Sequence, residues 1–261
     1  MTGPRFTRGD AALLGRAVVN CLFPRRCPYC DRVLGFAPEC TRCGPVCQRL
    51  EWPGHTLSPG RHHFGRLAGA FTLYGYEDAV RKSILRMKYQ GCRWYAPELG
   101  NAMAKTLFGC TLSAKYGIIL PNPGSAAAVD WDVIVPVPAS GKGRGYNIPY
   151  LLAKPIARGL GLPILQSALR RGRTDRPQAR LSAGQRLLNA KGAFLPGMDC
   201  SVQGLRVLLV DDVITTGATA AACADALLLA GAKSVWAVSL AASTAGEDEK
   251  QKSTQDENVM E

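Results

Sequence analysis

Two adjacent carboxylates, Asp211 and Asp212, stand between an apolar run and a short series of hydroxyl-bearing residues. The apolar residues 207–210 predict a buried strand, and the Ala-rich segment after Gly217 predicts a helix. Backbone N–H groups and Thr hydroxyls at the start of a helix suit a phosphate, and carboxylates accept hydrogen bonds from vicinal sugar hydroxyls. The pattern therefore predicts a phosphosugar site, with an ordinary strand–turn–helix as the alternative. The candidate phosphate-binding residues are Thr215, Thr216, Gly217, Ala218 and Thr219.

A basic, glycine-rich loop follows the strand-like residues 133–136. Residues 139–147 contain three glycines together with Lys142 and Arg144. Backbone N–H groups and two positive charges can wrap a pyrophosphate. A loop of this composition is more often only a solvated loop, so the prediction of an anion site depends on the neighbouring motifs.

Two C-x-x-C pairs near the N-terminus, separated by nine residues, predict a metal site. Cys27, Cys30, Cys40 and Cys43 can place four thiolates around Zn²⁺ in tetrahedral geometry. The surrounding segment lacks an apolar core, so the metal would supply much of its folding free energy. Reduced cysteines without a ligand and a redox C-x-x-C are the alternatives.

Other residues could replace one of these ligands. Cys21 and Cys47 are close in sequence, and three histidines follow, although each histidine is better interpreted as an exposed loop residue. The histidines are His55, His62 and His63. Four isolated cysteines are predicted to be buried small hydrophobic residues, namely Cys92, Cys110, Cys200 and Cys223.

The composition indicates a globular α/β protein with an anionic partner. The 261 residues carry a formal net charge of +12, and 47% of them are hydrophobic. Many positive residues fall between Arg144 and Lys191, so steering of an anionic substrate explains part of the charge, and DNA binding is neither required nor excluded. No apolar run approaches the roughly 20 residues of a membrane span, and no secretory signal is visible. We therefore expect a cytoplasmic protein without a membrane span.

The chain divides into three predicted parts. Residues 1–64 comprise a short amphipathic helix over residues 11–23 and the Cys-rich module, and residues 244–261 predict a disordered tail. Between them, residues 65–243 alternate strands and helices, which implies a mostly parallel sheet flanked by helices. Strands are predicted over residues 70–74, 131–136, 162–169, 205–210 and 234–240. Helices are predicted over residues 77–89, 97–109, 150–159, 182–191 and 217–230, with a loop insertion over residues 111–129.

Residues 207–219 resemble the phosphoribosyl-pyrophosphate (PRPP) signature of type I phosphoribosyltransferases, because the apolar strand, the Asp-Asp pair and Thr-Thr-Gly-Ala-Thr are all present. Over roughly residues 13–242 the chain resembles the ComF family of phosphoribosyltransferase-like proteins. The motifs that carry this resemblance are Leu22-Phe-Pro24 before Cys27, Leu85-Arg-Met-Lys88-Tyr-Gln-Gly91, Pro136-Val-Pro138, Arg144-Gly-Tyr-Asn147 and residues 169–194.

The resemblance implies an α/β protein with a type I phosphoribosyltransferase fold behind a small N-terminal zinc-binding module, and a link to the uptake of transforming DNA. It implies that PRPP binds with Mg²⁺ and that the ribosyl 5-phosphate passes to a nitrogen nucleophile as pyrophosphate leaves. Asp211 and Asp212 would be the catalytic residues that hold the ribose hydroxyls, while residues 215–219 hold the 5-phosphate. Lys142 and Arg144 would face the pyrophosphate, and residues 170–191 would form a mobile basic cover that excludes water.

Three departures from the family pattern stand out. Ile148 replaces the usual Gln, the loop from Pro138 to Arg144 is shorter than usual, and residues 51–64 replace a further C-x-x-C-G pair. The first two weaken the predicted pyrophosphate contacts, and the third leaves room for one zinc ion.

A rival interpretation is a non-enzymatic adaptor that senses PRPP, or that binds single-stranded DNA or DNA-uptake proteins. The intact Asp-Asp and Thr-Thr-Gly-Ala-Thr favour PRPP binding, and the scarcity of aromatic residues counts against a dedicated single-strand binder. Neither the acceptor nucleophile nor the oligomeric state can be inferred from the sequence.

Overall fold

A four-stranded parallel sheet is central to the computed structural model, which describes residues 22, 24–115, 118–127, 129–139, 145–172, 193–198 and 200–243. The helices described are α1 (Gly44–Arg49), α2 (Asp78–Tyr89), α3 (Tyr95–Phe108), α4 (Ile148–Leu160) and α5 (Ala218–Leu229). The strands described are β1 (Gly69–Gly75), β2 (Leu112–Lys115), β3 (Ile118–Pro121), β4 (Val133–Pro136), β5 (Leu169–Arg171), β6 (Phe194–Pro196), β7 (Arg206–Ile214) and β8 (Ser234–Ala242).

Several predicted elements lie outside the described residues. These are residues 11–21 and 23 of the predicted N-terminal helix, the predicted helix over residues 182–191 and the predicted tail over residues 244–261. Among the helices that the structure describes, none has the length and hydropathy needed to cross a membrane.

The strands of the central sheet follow the order β1-β8-β7-β4, and every neighbouring pair is parallel. Successive residues of β7 alternate between its two faces. Val207 and Leu209 pack with α5, whereas Leu208 and Val210 pack with α3 and α4. Because both faces are covered, the strand is a continuous apolar run in the sequence. The predicted mostly parallel sheet flanked by helices is confirmed.

Three predicted boundaries differ from the structure. β7 does not end at residue 210 but continues through both carboxylates to Ile214, because β8 pairs with it that far. The predicted strand over residues 162–169 is wrong: Ile164 forms a single bridge to Ile134, beside Pro163, which has no N–H for a ladder. The predicted loop over residues 111–129 contains the antiparallel hairpin of β2 and β3, whose apolar residues outweigh the prolines that follow.

The carboxyl ends of β4 and β7 form a crevice. β4 pairs with β7 only as far as Val210, so residues 211–214 extend beyond their partner on that side. α4 follows β4 and packs on one face of the sheet, whereas α5 follows β7 and packs on the other. In open parallel sheets, ligands bind where the helices after adjacent strands diverge to opposite faces. The topology thus favours a ligand at the edge that carries the Asp-Asp pair.

Residues 50–57 extend the sheet along the outer edge of β1. Trp52 N–H donates to Leu73 O at 2.9 Å, and Leu57 N–H donates to Ala70 O at 3.0 Å, in antiparallel register. The side chain of Leu57 is buried in the core on the α5 side of the sheet. This segment is therefore integrated into the sheet edge.

Candidate functional site

Asp211 and Asp212 lie next to each other in β7 at the crevice and are only 7% and 8% exposed. Neighbouring side chains in a strand point to opposite faces. Accordingly, Asp212 forms an ion pair with Lys88 of α2, with Nζ and Oδ1 2.9 Å apart. Asp211 instead accepts a hydrogen bond from the N–H of Asp212 at 2.8 Å and lies in the field of Arg171. The two carboxylates therefore have different electrostatic surroundings.

The pKa values of the site reflect these surroundings. Burial and the neighbouring Asp212 raise the pKa of Asp211 to about 7, although Lys88 and Arg171 act in the opposite direction. Burial lowers the pKa of Lys88, but Asp212, with smaller contributions from Asp211 and Tyr76, raises it by more in total, so the pKa lies above its ordinary value and the ammonium stays charged. At neutral pH the site thus combines an ion pair with a second carboxyl that ionises readily.

Lys88 is a site residue that the sequence reasoning did not single out. In the sequence it belongs to the motif at residues 85–91, where it follows Met87, a buried residue of α2. The hydroxyl of Tyr146 donates to Met87 O at 2.5 Å, so the end of the glycine-rich loop contacts the same turn of α2. The available signal was a lysine beside the apolar face of an amphipathic helix, which does not identify a distant partner.

The loop between β7 and α5 presents hydroxyls and N–H groups at the crevice. Gly217 has a φ of +82°, and a Cβ there would lie 2.5 Å from the carbonyl oxygen of His63, so conformation and packing both require glycine. The N–H of His63 donates to Thr216 O at 2.7 Å and braces the loop. Thr216 and Thr219 are exposed and Thr215 is half-buried. With the first N–H groups of α5, these hydroxyls can bind a phosphate.

The predicted pyrophosphate contacts, Lys142 and Arg144, lie outside the described residues. The described ends of their loop are both held by hydrogen bonds. Ala139 O accepts from Arg171 Nε at 2.9 Å, and Asn147 Nδ2 donates to Val137 O at 3.0 Å. The loop therefore starts and ends beside β4, at the crevice.

Arg171 connects this loop to the carboxylates. It belongs to β5, its guanidinium lies 4.9 Å from the ring centroid of Phe194, and its charge lowers the pKa of Asp211. It falls within the predicted basic cover over residues 170–191, of which residues 173–191 lie outside the described residues. The part of the cover that the structure describes thus begins as a strand paired with β6.

The four predicted metal-binding cysteines converge. The Sγ atoms of Cys27, Cys30, Cys40 and Cys43 all lie within 4.8 Å of one another, and those of Cys30 and Cys40 are 3.8 Å apart. Zn–S bonds of about 2.3 Å in a tetrahedron place two sulfurs about 3.8 Å apart. This cluster can therefore bind zinc.

Both C-x-x-C pairs use the same local geometry, in which backbone N–H groups donate to the first cysteine of the pair. Tyr29 and Cys30 donate to Cys27, and Arg42 and Cys43 donate to Cys40. At Cys40 burial raises the pKa, but these bonds and the neighbouring thiols lower it by more, to about 7. At Cys27 burial prevails and raises the pKa to about 11. Hydrogen bonds of this kind favour the thiolate form that a metal requires.

The cysteine module, residues 24–49, packs against α2 and α3. Arg25 forms a bidentate ion pair with Glu98 of α3, with two N···O distances of 2.6 Å and side chains only 10% and 15% exposed. The Ser83 hydroxyl of α2 donates to Pro28 O at 2.7 Å. Through these contacts, order in the module is coupled to the helices that carry Lys88 and the core.

Among the alternative zinc ligands, Cys21 lies outside the described residues. Cys47 and the three histidines are described but are not part of the four-cysteine cluster. Cys47 is buried beside Tyr29, and burial raises its pKa to about 12. The prediction that the histidines are exposed is wrong for His62, which is buried with Nε2 3.1 Å from Ser243 O. His63 is exposed, as predicted, whereas His55 is half-buried, so the prediction is wrong there as well.

The four isolated cysteines fall into two groups according to their burial. Cys110 and Cys223 are buried, as predicted, whereas Cys92 and Cys200 are half-buried, so the prediction is wrong for the latter two. Cys92 precedes the start of α3 and Cys200 follows β6, so both lie outside the sheet and its covering helices.

The profile of the Phosphoribosyl transferase domain matches residues 125–259, slightly more than half of the chain. The matched region contains β4, the glycine-rich loop, both carboxylates and α5. The chain therefore belongs to the phosphoribosyltransferase family, and its relatives identify it further as a ComF-family, type I phosphoribosyltransferase-like protein.

These relatives carry names from DNA utilization and competence. The chain is 38% identical over 141 residues to "DNA utilization protein YhgH" of Salmonella typhi, which covers 53% of this chain and 58% of that protein. It is 28% identical to "Competence protein F" of Haemophilus influenzae, covering 74% and 80%, and 29% identical to "Competence protein ComFC" of Bacillus subtilis, covering 78% and 72%. The match thus spans little more than half of the length of the Salmonella typhi YhgH protein.

A solved purine phosphoribosyltransferase from Pyrococcus horikoshii aligns with 44% of this chain and 72% of its own, at a TM-score of 0.28 and 18% identity. At that score the likeness adds nothing to the assignment, which rests on the domain profile and the relatives.

Proposed function

We propose that this chain binds PRPP with Mg²⁺ at the carboxyl end of β7 and transfers the ribosyl 5-phosphate to a nitrogen nucleophile, releasing pyrophosphate. The observation that carries the proposal is the buried pair Asp211 and Asp212 at the crevice between β4 and β7. The threonine-rich loop at residues 215–219 follows on the same strand end. One phosphorylated ribose can therefore reach both features.

The residues have distinct tasks in this reaction. Residues 215–219 hold the 5-phosphate, while Asp211 and Asp212 accept hydrogen bonds from the ribose hydroxyls. As the bond from C1 to pyrophosphate weakens, positive charge develops on the ribose, and the carboxylates stabilise it. Lys88 orients Asp212 before the substrate arrives. Lys142 and Arg144 contact the pyrophosphate, and residues 170–191 cover the site and exclude water.

The donor set at the crevice suits Mg²⁺, which prefers hard oxygen ligands. Asp211 and Asp212 supply carboxylate oxygens there, and the thiolates of the cysteine module suit the softer Zn²⁺. When bound, Mg²⁺ would offset the negative charge on the departing pyrophosphate. Zinc has a structural role in this proposal.

The names of the relatives support a link between this activity and DNA uptake. We place the protein in the cytoplasm, because a four-thiolate zinc site requires reduced cysteines, which that compartment maintains.

Two measurements test the proposal. Calorimetry with PRPP and Mg²⁺ should show binding, and pyrophosphate release should rise above the rate without protein when the right nucleobase or amine is supplied. Absence of PRPP binding contradicts the proposal as a whole. Binding without release for any acceptor contradicts the transfer step alone.

The net charge of +12 favours a second candidate, a non-enzymatic adaptor that senses PRPP or binds single-stranded DNA or DNA-uptake proteins. A DNA-binding surface releases counterions, so its affinity falls steeply with salt. Filter binding of single-stranded DNA over a salt series is compared with limited proteolysis of residues 170–191. Protection by PRPP–Mg²⁺ supports a substrate cover, and pyrophosphate release then separates the transferase from a PRPP sensor. Protection by DNA with none by PRPP supports the DNA-binding adaptor.

A further inference from the structure

A groove of about 990 Å³ lies where α3, α4 and β3 meet, and none of the lining residues that the structure describes belongs to the carboxylate site. The two helices approach closely, because a Cβ on Gly100 of α3 would come within 2.8 Å of Leu152 O of α4. One wall comes from residues 24–26, where the cysteine module begins. The groove is therefore bounded by the main domain on one side and by the module on the other.

Much of the groove is apolar. β3 contributes residues 118–120, and α4 contributes Leu151 and Pro155. Trp94, which directly precedes α3, also lines the groove and is 53% exposed. Apolar surface that stays exposed and is rimmed by polar side chains typically marks an interaction site.

The rim of the groove carries cations. Arg93 precedes α3, and Lys154 and Arg158 are one turn apart on α4; all three residues are exposed. Among the lining residues that the structure describes, Glu98 is the one carboxylate, and Arg25 neutralises it through their bidentate ion pair. The remaining charge at the rim is therefore positive.

The start of α3 adds to this positive charge. Trp94 and Pro97 both line the groove, so the N-terminus of the helix lies beside it. A helix N-terminus carries partial positive charge, and Trp94 provides no side-chain cap that would offset it. The last charged lining residue, Arg26, pairs with Asp31 at 3.2 Å. The helix terminus and the rim cations thus favour an acidic occupant.

The occupant must combine negative charge with apolar side chains. Single-stranded DNA supplies the charge, but its bases stack on aromatic rings, and Trp94 is the one aromatic residue among the described lining residues. An acidic peptide meets both requirements, because its aliphatic side chains can pack against β3 and Leu151 while its carboxylates reach the rim.

We propose that this groove docks an acidic peptide segment of a partner protein. Aliphatic side chains of that segment contact residues 118–120 and Leu151, and its carboxylates pair with Lys154 and Arg158. The cysteine module supplies one wall of this docking surface, which gives the module a task in recognition. The surface is separate from the PRPP site, so it does not depend on the transfer reaction.

The test measures binding of a short fluorescein-labelled peptide of leucine, isoleucine, aspartate and glutamate to the full chain by fluorescence anisotropy. Two comparison peptides carry amides in place of the carboxylates, or serine in place of the aliphatic residues. The acidic peptide should bind, and each comparison peptide should bind about tenfold more weakly or worse, because each lacks one of the two contributions.

Charge reversal on the chain locates the binding surface. The double variant Lys154→Glu with Arg158→Glu should weaken binding of the acidic peptide about tenfold or more. Arg158 Nε also donates to Pro121 O at 2.8 Å, so Lys154→Glu alone separates charge from structure and should weaken binding about threefold or more. The matched control is Lys82→Glu with Lys233→Glu, which reverses two exposed lysines outside the groove and should bind as the parent does.

Weaker binding in both groove variants, with parent-like binding in the control, supports the docking surface. No binding of the acidic peptide, equally tight binding of the amide peptide, or an equal loss in the control overturns it. An oligothymidylate is titrated in parallel. If it binds and Lys154→Glu weakens it, while the acidic peptide does not bind, the groove belongs to single-stranded DNA and the proposal is wrong.

Discussion

The cysteine module and the carboxylate site differ in the distance along the chain between their parts. All four thiols come from residues 27–43, and two short turns bring them together. The carboxylate site instead draws on α2, on β7 and on the segment around His63, which meet only when the sheet is formed. The comparison teaches that local spacing specifies the first site, whereas the topology of the sheet specifies the second.

The two regions also differ in what stabilises them. The cysteine module has little core of its own and would rely on metal coordination and on its contacts with α2 and α3. The carboxylate site is built into a sheet covered on both faces, where burial of apolar residues stabilises the backbone and raises the free energy of the charged groups. Loss of metal should therefore affect the cysteine module most, and changes in charge should affect the carboxylate site most.

The largest expected effect is the loss of zinc. Protein purified without added zinc should contain about one zinc per chain, and the double variant Cys27→Ser with Cys30→Ser should contain none. Structural zinc sites contribute about 10–16 kcal/mol in peptides, so residues 24–49 should lose their order. Metal analysis and amide exchange provide the measurements.

The control for that experiment is Cys92→Ser with Cys200→Ser, which alters two half-buried cysteines outside the cluster and should keep the zinc. The boundary between residues 1–64 and 65–243 stays a prediction, and chelation of the zinc tests it as well. Because residues 50–57 pair with β1, their amides should stay protected from exchange together with those of β1 when the zinc is removed. Unchanged zinc in the Cys27 and Cys30 variant would refute the assigned ligands.

A smaller effect is expected at the Lys88–Asp212 pair. Lys88→Met leaves Asp212 without this counter-ion. The Lys88 side chain is 23% exposed, so the loss of stability should fall below the roughly 3–5 kcal/mol that removing one partner of a fully buried pair costs. Combining it with Asp212→Asn removes both charges and should restore part of the stability. Urea unfolding of the double-mutant cycle measures the coupling, with Lys82→Met on the exposed side of α2 as the control. Strictly additive losses would contradict the pair.

The pH dependence of stability should reveal Asp211. Its pKa in the folded chain, about 7, lies above the ordinary 3.8, so the folded state holds this proton more tightly than the unfolded state does. The stabilisation that the protonated Asp211 gives to the folded state is therefore fully present below about pH 4, and it is lost as pH rises through about 7. Asp211→Asn should melt at a higher temperature than the parent at pH 8, and the difference should shrink towards pH 5. A difference that is constant with pH would contradict the assigned pKa.

The sequence alone predicted the parallel sheet, the four thiols and the Asp-Asp pair with its loop, because each depends on local patterns. It did not predict Lys88 as the partner of Asp212, nor His63 as the brace of Gly217, since those contacts join residues far apart in the chain. It also missed the pairing of residues 50–57 with β1, because an edge segment with few β-branched residues gives little periodic signal. The contacts of Lys142 and Arg144 with pyrophosphate stay predictions, because both residues lie outside the described part of the chain.

The central claim is that the carboxyl end of β7 binds PRPP, and calorimetry with PRPP–Mg²⁺ on single variants tests it most directly. Asp211→Asn and Asp212→Asn each remove charge-assisted hydrogen bonds worth about 1.5–3 kcal/mol, so each should weaken binding roughly tenfold or more. The control Asp225→Asn alters a half-buried residue of α5 and should bind PRPP as tightly as the parent does. Parent-like PRPP affinity in both Asp211→Asn and Asp212→Asn would contradict the account.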